Sequence, residues 1–242
     1  MESRTANKLW IAAALFVVSG NIYCNEARAA AADDPLLVMG LLDQLEIRDI
    51  GGDRDVTWDA QGWIGKDLHK LWLKTEGERA DSKTEEFELQ LLYSKAIARF
   101  WDIQVGVRHD FEPSPSRSWA VIGIQGLAPY FFETDVAIFV GDNGRTALRL
   151  DFEYESLLTQ RLILTPELEA NFYGKSDPEV GVGSGLSTIQ AGLRLRYEIR
   201  REIAPYIGIN WSKSFGNTAE FAAAAGQETS ETQFVVGIRA WF

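Results

Sequence analysis

The chain has 242 residues, 24 Lys and Arg against 35 Asp and Glu for a net charge of −11, and a mean hydropathy of −0.13. That polarity excludes a bundle of membrane-spanning helices. The acidic balance, with no basic stripe for phosphates, excludes a nucleic-acid binder.

The first element is an export signal over residues 1–29. Arg4 and Lys8 supply its positive start, Leu9 to Val18 an apolar core too short to span a bilayer, and Ala27-Arg28-Ala29 a small-x-small cleavage site, with Ala30 to Ala32 as the rival position. Cys24 does not mark a lipoprotein, because bulky Tyr23 precedes it. Cleavage after Ala29 removes that single cysteine and leaves 21 basic against 33 acidic groups, a balance of −12. No later apolar run reaches the length of about eighteen residues that a spanning helix needs. Export without a helical anchor leaves the periplasm, secretion or an outer-membrane β-barrel. Residues 30–42 show no clear alternation and are expected to form a short, mobile periplasmic arm.

From residue 43 the pattern turns to period two, as in strands whose side chains alternate between faces. The predicted strands are Leu45–Ile50, Asp55–Ile64, His69–Glu78, Thr84–Ala96, Phe100–Asp110, Arg117–Leu127, Tyr130–Val140, Arg145–Glu155, Arg161–Tyr173, Thr188–Arg200, Ala204–Lys213 and Thr232–Phe242. Two of them divide their faces most sharply. Leu148, Leu150, Phe152 and Tyr154 alternate with Arg149, Asp151, Glu153 and Glu155; Ile189, Ala191, Leu193, Leu195 and Tyr197 alternate with Gln190, Gly192, Arg194, Arg196 and Glu198. The last strand puts Phe234, Val236, Ile238, Ala240 and Phe242 on one oily face, and an aromatic carboxyl terminus is similar to the sorting signature of bacterial outer-membrane barrels. The expected fold is an all-β, antiparallel, up-and-down transmembrane barrel spanning 43–242, with about twelve strands or, if Leu45–Ile50 is a lead-in, about ten. Its oily face meets lipid and its charged face a lumen.

Turn residues that tolerate positive φ stand at Gly51-Gly52-Asp53, Gly141 to Gly144 and Ser214 to Asn217. Lys175–Gly185 and Thr218–Glu231 read as long loops. Pro166 inside a predicted strand marks a rim or a bulge.

Several strings go beyond barrel grammar: Trp63-Ile64-Gly65-Lys66-Asp67 before Leu71-Trp72-Leu73-Lys74-Thr75-Glu76-Gly77-Glu78, then Gly106-Val107-Arg108-His109-Asp110, Gly126-Leu127-Ala128-Pro129-Tyr130-Phe131-Phe132, Gly192-Leu193-Arg194-Leu195-Arg196-Tyr197-Glu198 and Arg239-Ala240-Trp241-Phe242. From Asp43 to Phe242 this series resembles the copper resistance protein B family of Gram-negative outer membranes. The resemblance implies a non-enzymatic outer-membrane protein of copper resistance that binds copper ions or lets them leave the periplasm, acting with a periplasmic multicopper oxidase. Members often carry a methionine- and histidine-rich segment before the barrel. Residues 30–42 hold one methionine, Met39, and no histidine, so sequestration by that arm is not expected.

Candidate copper ligands in the exported chain are Met39, His69, His109 and Asp110. The commonplace reading places His109 on the lipid face with Val105 and Val107, and His69 at a turn, neither with a metal role. The inward registers hold the stronger candidates: Lys74, Glu76, Glu88, Arg108, Asp110, Glu133, Asp135, Arg149, Asp151, Glu153, Arg194, Arg196, Glu198 and Arg239. These form either a cation path or an interlocked ion-pair filling. A filled barrel that anchors the oxidase is the alternative function. A lipid hydrolase ranks third, because neither Ser94 nor Ser118 shows a histidine partner in sequence.

Overall fold

The structure is a computed structural model and describes residues 35–50, 53–80 and 83–242. The predicted signal, residues 30–34 of the predicted arm and the turn glycines Gly51 and Gly52 lie outside those residues. Long antiparallel strands follow one another around a closed sheet: β1 (Leu37–Ile50), β2 (Asp53–Lys66), β3 (His69–Ala80), β4 (Lys83–Ala98), β5 (Trp101–Glu112), β6 (Arg117–Ala128), β7 (Phe132–Gly141), β8 (Thr146–Tyr154), β9 (Ser156–Leu157), β10 (Leu162–Tyr173), β11 (Gly185–Tyr197), β12 (Ile203–Ser214) and β13 (Ser230–Trp241). The two-residue β9 continues β8 along the edge of β10, so the wall has twelve staves. Closure comes from β1 against β13. Gly40 and Phe242 exchange backbone hydrogen bonds of 2.9 and 3.0 Å. The Phe242 ring lies over Gly40, where a Cβ would fall 2.7 Å from it.

The first strand corrects the expected boundary at residue 43. Strand β1 begins at Leu37, so residues 37–42 are barrel wall and not arm. The register of β1 against β2 slips between Leu42 and Gln44, a bulge that turns both Asp43 and Gln44 toward the lumen. Upstream of it Met39 packs beside Trp63 and Trp72. The segment is apolar on both faces, which hides its period. Pro166 sits in neither a rim nor a bulge. It pairs with Leu193 in a continuous register, and on its other side it falls in the gap between the β9 and β8 pairings, where no donor is required.

Aromatic rings form two belts on the outer wall. Phe87 contacts both Trp58 and Phe111 near one end, while Tyr93, Phe132 and Tyr154 stand near the end that carries the carboxyl terminus. The long connections 174–184 and 215–229 leave the end opposite the termini, which is therefore the outward end. The second of them contains a helix that sequence patterning did not reveal, α1 (Gly216–Ala224). Alanine propensity forms it, and Gly226 at φ 78° ends it.

Candidate functional site: the charged lumen

Alternation aims the polar residues of every stave inward, and the lumen they line is neither empty nor evenly filled. A middle chamber of about 380 Å³ opens toward an outer chamber of about 880 Å³ that runs up to α1 and the 174–184 loop. Toward the periplasmic end a gap of about 20 Å³ remains, room for roughly one water.

The predicted lumen residues separate by level. Lys74, Glu76, Glu88, Glu133, Asp135, Arg149, Asp151, Glu153, Arg194 and Arg239 line the middle chamber. Arg108 and Asp110 line the outer one, and Arg196 lines the small gap. Glu198 lies one residue past the end of β11, at the periplasmic rim.

Between the two chambers a strut crosses the lumen. Arg149 on β8 reaches Glu76 on β3 at 3.0 Å and Glu88 on β4 at 3.0 Å. Glu88, itself buried, also accepts from Arg108 at 2.8 Å and from Gln90 at 2.7 Å. Both guanidinium groups lie over the Phe139 ring, 4.8 and 5.8 Å from its centre. Asp110 takes Arg108 Nε at 2.6 Å and Trp119 Nε1 at 2.8 Å.

A second network fills the periplasmic third. Arg194 donates to Glu46 at 2.5 Å, to Gln44 at 3.0 Å and to Glu167, and Glu46 also holds Arg48 at 3.0 Å. Arg239 pairs with Asp43 at 2.7 Å and shares Glu155 with Arg196. The middle chamber is different. Lys74 pairs with Asp135 at 2.7 Å, but Asp59, Asp151 and Glu153 make no hydrogen bond or ion pair among the described residues.

Sequence reading missed Asp43, Gln44, Glu46, Arg48, Asp59, Glu167 and Glu169 as lumen groups. Asp59 falls on the inward register of a predicted strand and could have been found there. Glu167 and Glu169 follow Pro166, a residue that strands rarely hold, and the β1 bulge masks Asp43 and Gln44.

The four candidate copper ligands are not brought together. His109 lies outside the barrel and Asp110 inside, on successive residues of β5. His69 hydrogen-bonds Tyr93 at 2.5 Å on the outer face near the other end. Met39 pairs with Trp63 and packs on the buried cluster that includes Trp72. Among the described residues, no three His, Cys, Asp or Glu side chains are arranged to hold a metal ion. The expectation that Ser118 has no histidine partner is corrected, because His109 Nδ1 lies 2.8 Å from its Oγ across β5 and β6. That contact joins strand neighbours nine residues apart, a spacing that sequence motifs do not flag.

Residues 36–242 match the family model described as copper resistance protein B precursor. The chain is 46% identical over 213 residues to copper resistance protein B of Escherichia coli, covering 88% of this chain and 72% of that one. It is 43% identical over 221 residues to the copper resistance protein B homolog of Pseudomonas syringae pv. tomato, covering 91% and 75%. In fold it matches the NanC porin at a TM-score of 0.57 and 12% identity, over 84% of this chain and 98% of that structure. The outer-membrane barrel read from alternation is thus the fold of this protein, and the chain belongs to the copper resistance protein B family.

Proposed function

We propose that this outer-membrane barrel passes copper ions out of the periplasm through its lumen, holding them weakly on the way. One observation carries the reading: the middle chamber is lined by twelve Asp and Glu side chains against five Lys and Arg. An excess of carboxylates inside low-dielectric walls concentrates cations and repels anions. Oxygen donors suit Cu(II), which heads the divalent affinity order, better than soft Cu(I). Passage needs contacts weak enough to release the ion, and scattered carboxylates supply that where converging imidazoles would not.

The Arg149 strut favours a second reading, in which a filled lumen anchors a periplasmic multicopper oxidase and carries no ion. Purified mature protein in planar bilayers separates the two. The first predicts a resolved current whose reversal potential in a salt gradient marks cation preference, together with Cu(II) entry into proteoliposomes. Silent bilayers and copper-tight proteoliposomes overturn passage and leave the anchor.

A further inference from the structure

On the lipid-facing wall, high on β5 and β6, the otherwise apolar surface is interrupted by one polar pair. His109 and Ser118 are direct cross-strand partners, with Nδ1 2.8 Å from Oγ. Below them the wall dips into a shallow hollow of about 440 Å³, floored by Ala120 and walled by Leu89, Leu91 and Val107. The His109 ring is fixed edge-on against Phe111 at 4.5 Å, and Phe111 stacks on Phe87 at 4.9 Å. The pair therefore sits within the outward aromatic belt, at the depth where acyl chains meet their polar linkages.

Proton counting at this pair gives one donor too many. If the Ser118 hydroxyl donates to Nδ1, the neutral ring carries its hydrogen on Nε2, which has no protein partner among the described residues. If Nδ1 donates to Oγ, the hydroxyl hydrogen is left over instead. A protonated ring leaves both. Every protonation state thus points an unspent donor at a non-aqueous surface, where such a group is costly unless an acceptor meets it. An ester carbonyl is the acceptor found at that depth. The pair has no third member to orient the imidazole and no converging donors for an oxyanion, so it recognises an ester and does not cleave one.

We propose that this hollow is a binding site for one ester-linked acyl chain of outer-leaflet lipid A. The chain lies along Leu89, Leu91, Val107 and Ala120, and its ester carbonyl accepts the unspent hydrogen of the His109–Ser118 pair. The outward position of the hollow selects the outer leaflet and hence lipid A over the glycerophospholipids of the inner one.

Native mass spectrometry of the full exported chain, delipidated in detergent and titrated with lipid A or with a diacyl glycerophospholipid, tests the assignment. The wild type should retain one lipid A. The double variant His109→Phe with Ser118→Ala, which keeps the ring contact with Phe111, should bind it at least ten-fold more weakly. Ala120→Phe, which fills the hollow and leaves the polar pair intact, should lose it as well, with heat-modifiable gel mobility confirming a folded barrel in each case. Equal retention by all three chains overturns the site, as does a wild type that holds no lipid. Equal retention of the glycerophospholipid overturns the choice of lipid A.

Discussion

Two levels of one lumen handle charge in opposite ways. In the periplasmic third every guanidinium is matched: Arg194 by Glu46, Gln44 and Glu167, Arg239 by Asp43 and Glu155, and Arg196 by Glu155. Beside that network, Asp59 opposite Gln44, Glu153 opposite Glu167, and Asp151 face the middle chamber with no hydrogen bond or ion pair among the described residues. The lower level is built like a protein core whose polar groups are satisfied. The unpaired carboxyl groups are left facing the open chamber. The comparison teaches that one lumen holds both fully paired charge and carboxylates left without a partner.

The largest effect is expected where charge is most deeply committed. Glu46 is fully buried, and Arg194→Leu leaves it with Arg48 alone. Removing one partner of a buried ion pair costs about 3–5 kcal/mol, enough to cripple folding of a marginal barrel. Denaturant unfolding in lipid vesicles should show that loss, and adding Glu46→Leu should recover most of it, since an apolar pair avoids the desolvation cost. A destabilisation under about 1 kcal/mol would mean the lower level is not packed as described.

Next comes the strut. Arg149→Gln breaks both cross-lumen ion pairs and joins the two chambers, so single-channel conductance should rise by roughly two-fold or more. An unchanged conductance places the limiting constriction elsewhere, with the periplasmic network as the next candidate.

The unpaired carboxylates predict the reverse pattern to Arg194. Asp59→Asn, Asp151→Asn and Glu153→Gln together should leave unfolding within about 0.5 kcal/mol per site or improve it, because each change removes repulsion and no pairing. The ratio of cation to anion permeability should fall to about half or lower. If selectivity holds while stability drops, the two levels are alike and the comparison fails.

How much of this was readable beforehand follows from what alternation can and cannot encode. Staves such as β8 and β11 carry clean period-two patterns, because one face meets hydrocarbon and the other water, so parity alone marks Arg149, Asp151 and Arg194 as inward. Strand β1 was shortened because Met39 faces a tryptophan pair inside the barrel, so apolar residues occupy both faces above a bulge. The division into a sealed level and an open one was invisible. Arg194 and Glu46 are 148 residues apart, and only closure of the sheet brings them together. Parity says that a carboxylate faces inward, but whether an arginine from the far wall reaches it depends on side-chain length and on height along the axis.

The smallest effect concerns the outward end, where a latch tests whether matched charge is used only below. Asp177 in the 174–184 loop is 8% exposed and is held by Arg117 at 3.0 Å and Arg145 at 2.8 Å, from the starts of two wall segments. Burial pushes its carboxyl up, but the Arg117 hydrogen bond and the two guanidinium charges outweigh burial and hold it below the usual carboxylate range. A depressed folded value means that the latch contributes fully above the unfolded value of about 4 and is lost as pH falls through the lower, folded one. The protection of residues 174–184 against hydrogen exchange, relative to the intrinsic rate at each pH, should therefore be the same at pH 7 and pH 5 and fall only in stronger acid. Asp177→Asn should give fast exchange at every pH, with barrel unfolding changed by no more than about 1 kcal/mol, because the latch joins a loop to the rim and carries no stave. Protection that falls between pH 7 and pH 5 in the wild type would show that a group other than Asp177 holds the loop. An unaltered profile in Asp177→Asn would assign that role to the hydrogen bonds of Thr218, which accepts from Gly183 N at 2.8 Å and pairs with Ser187 at the same distance.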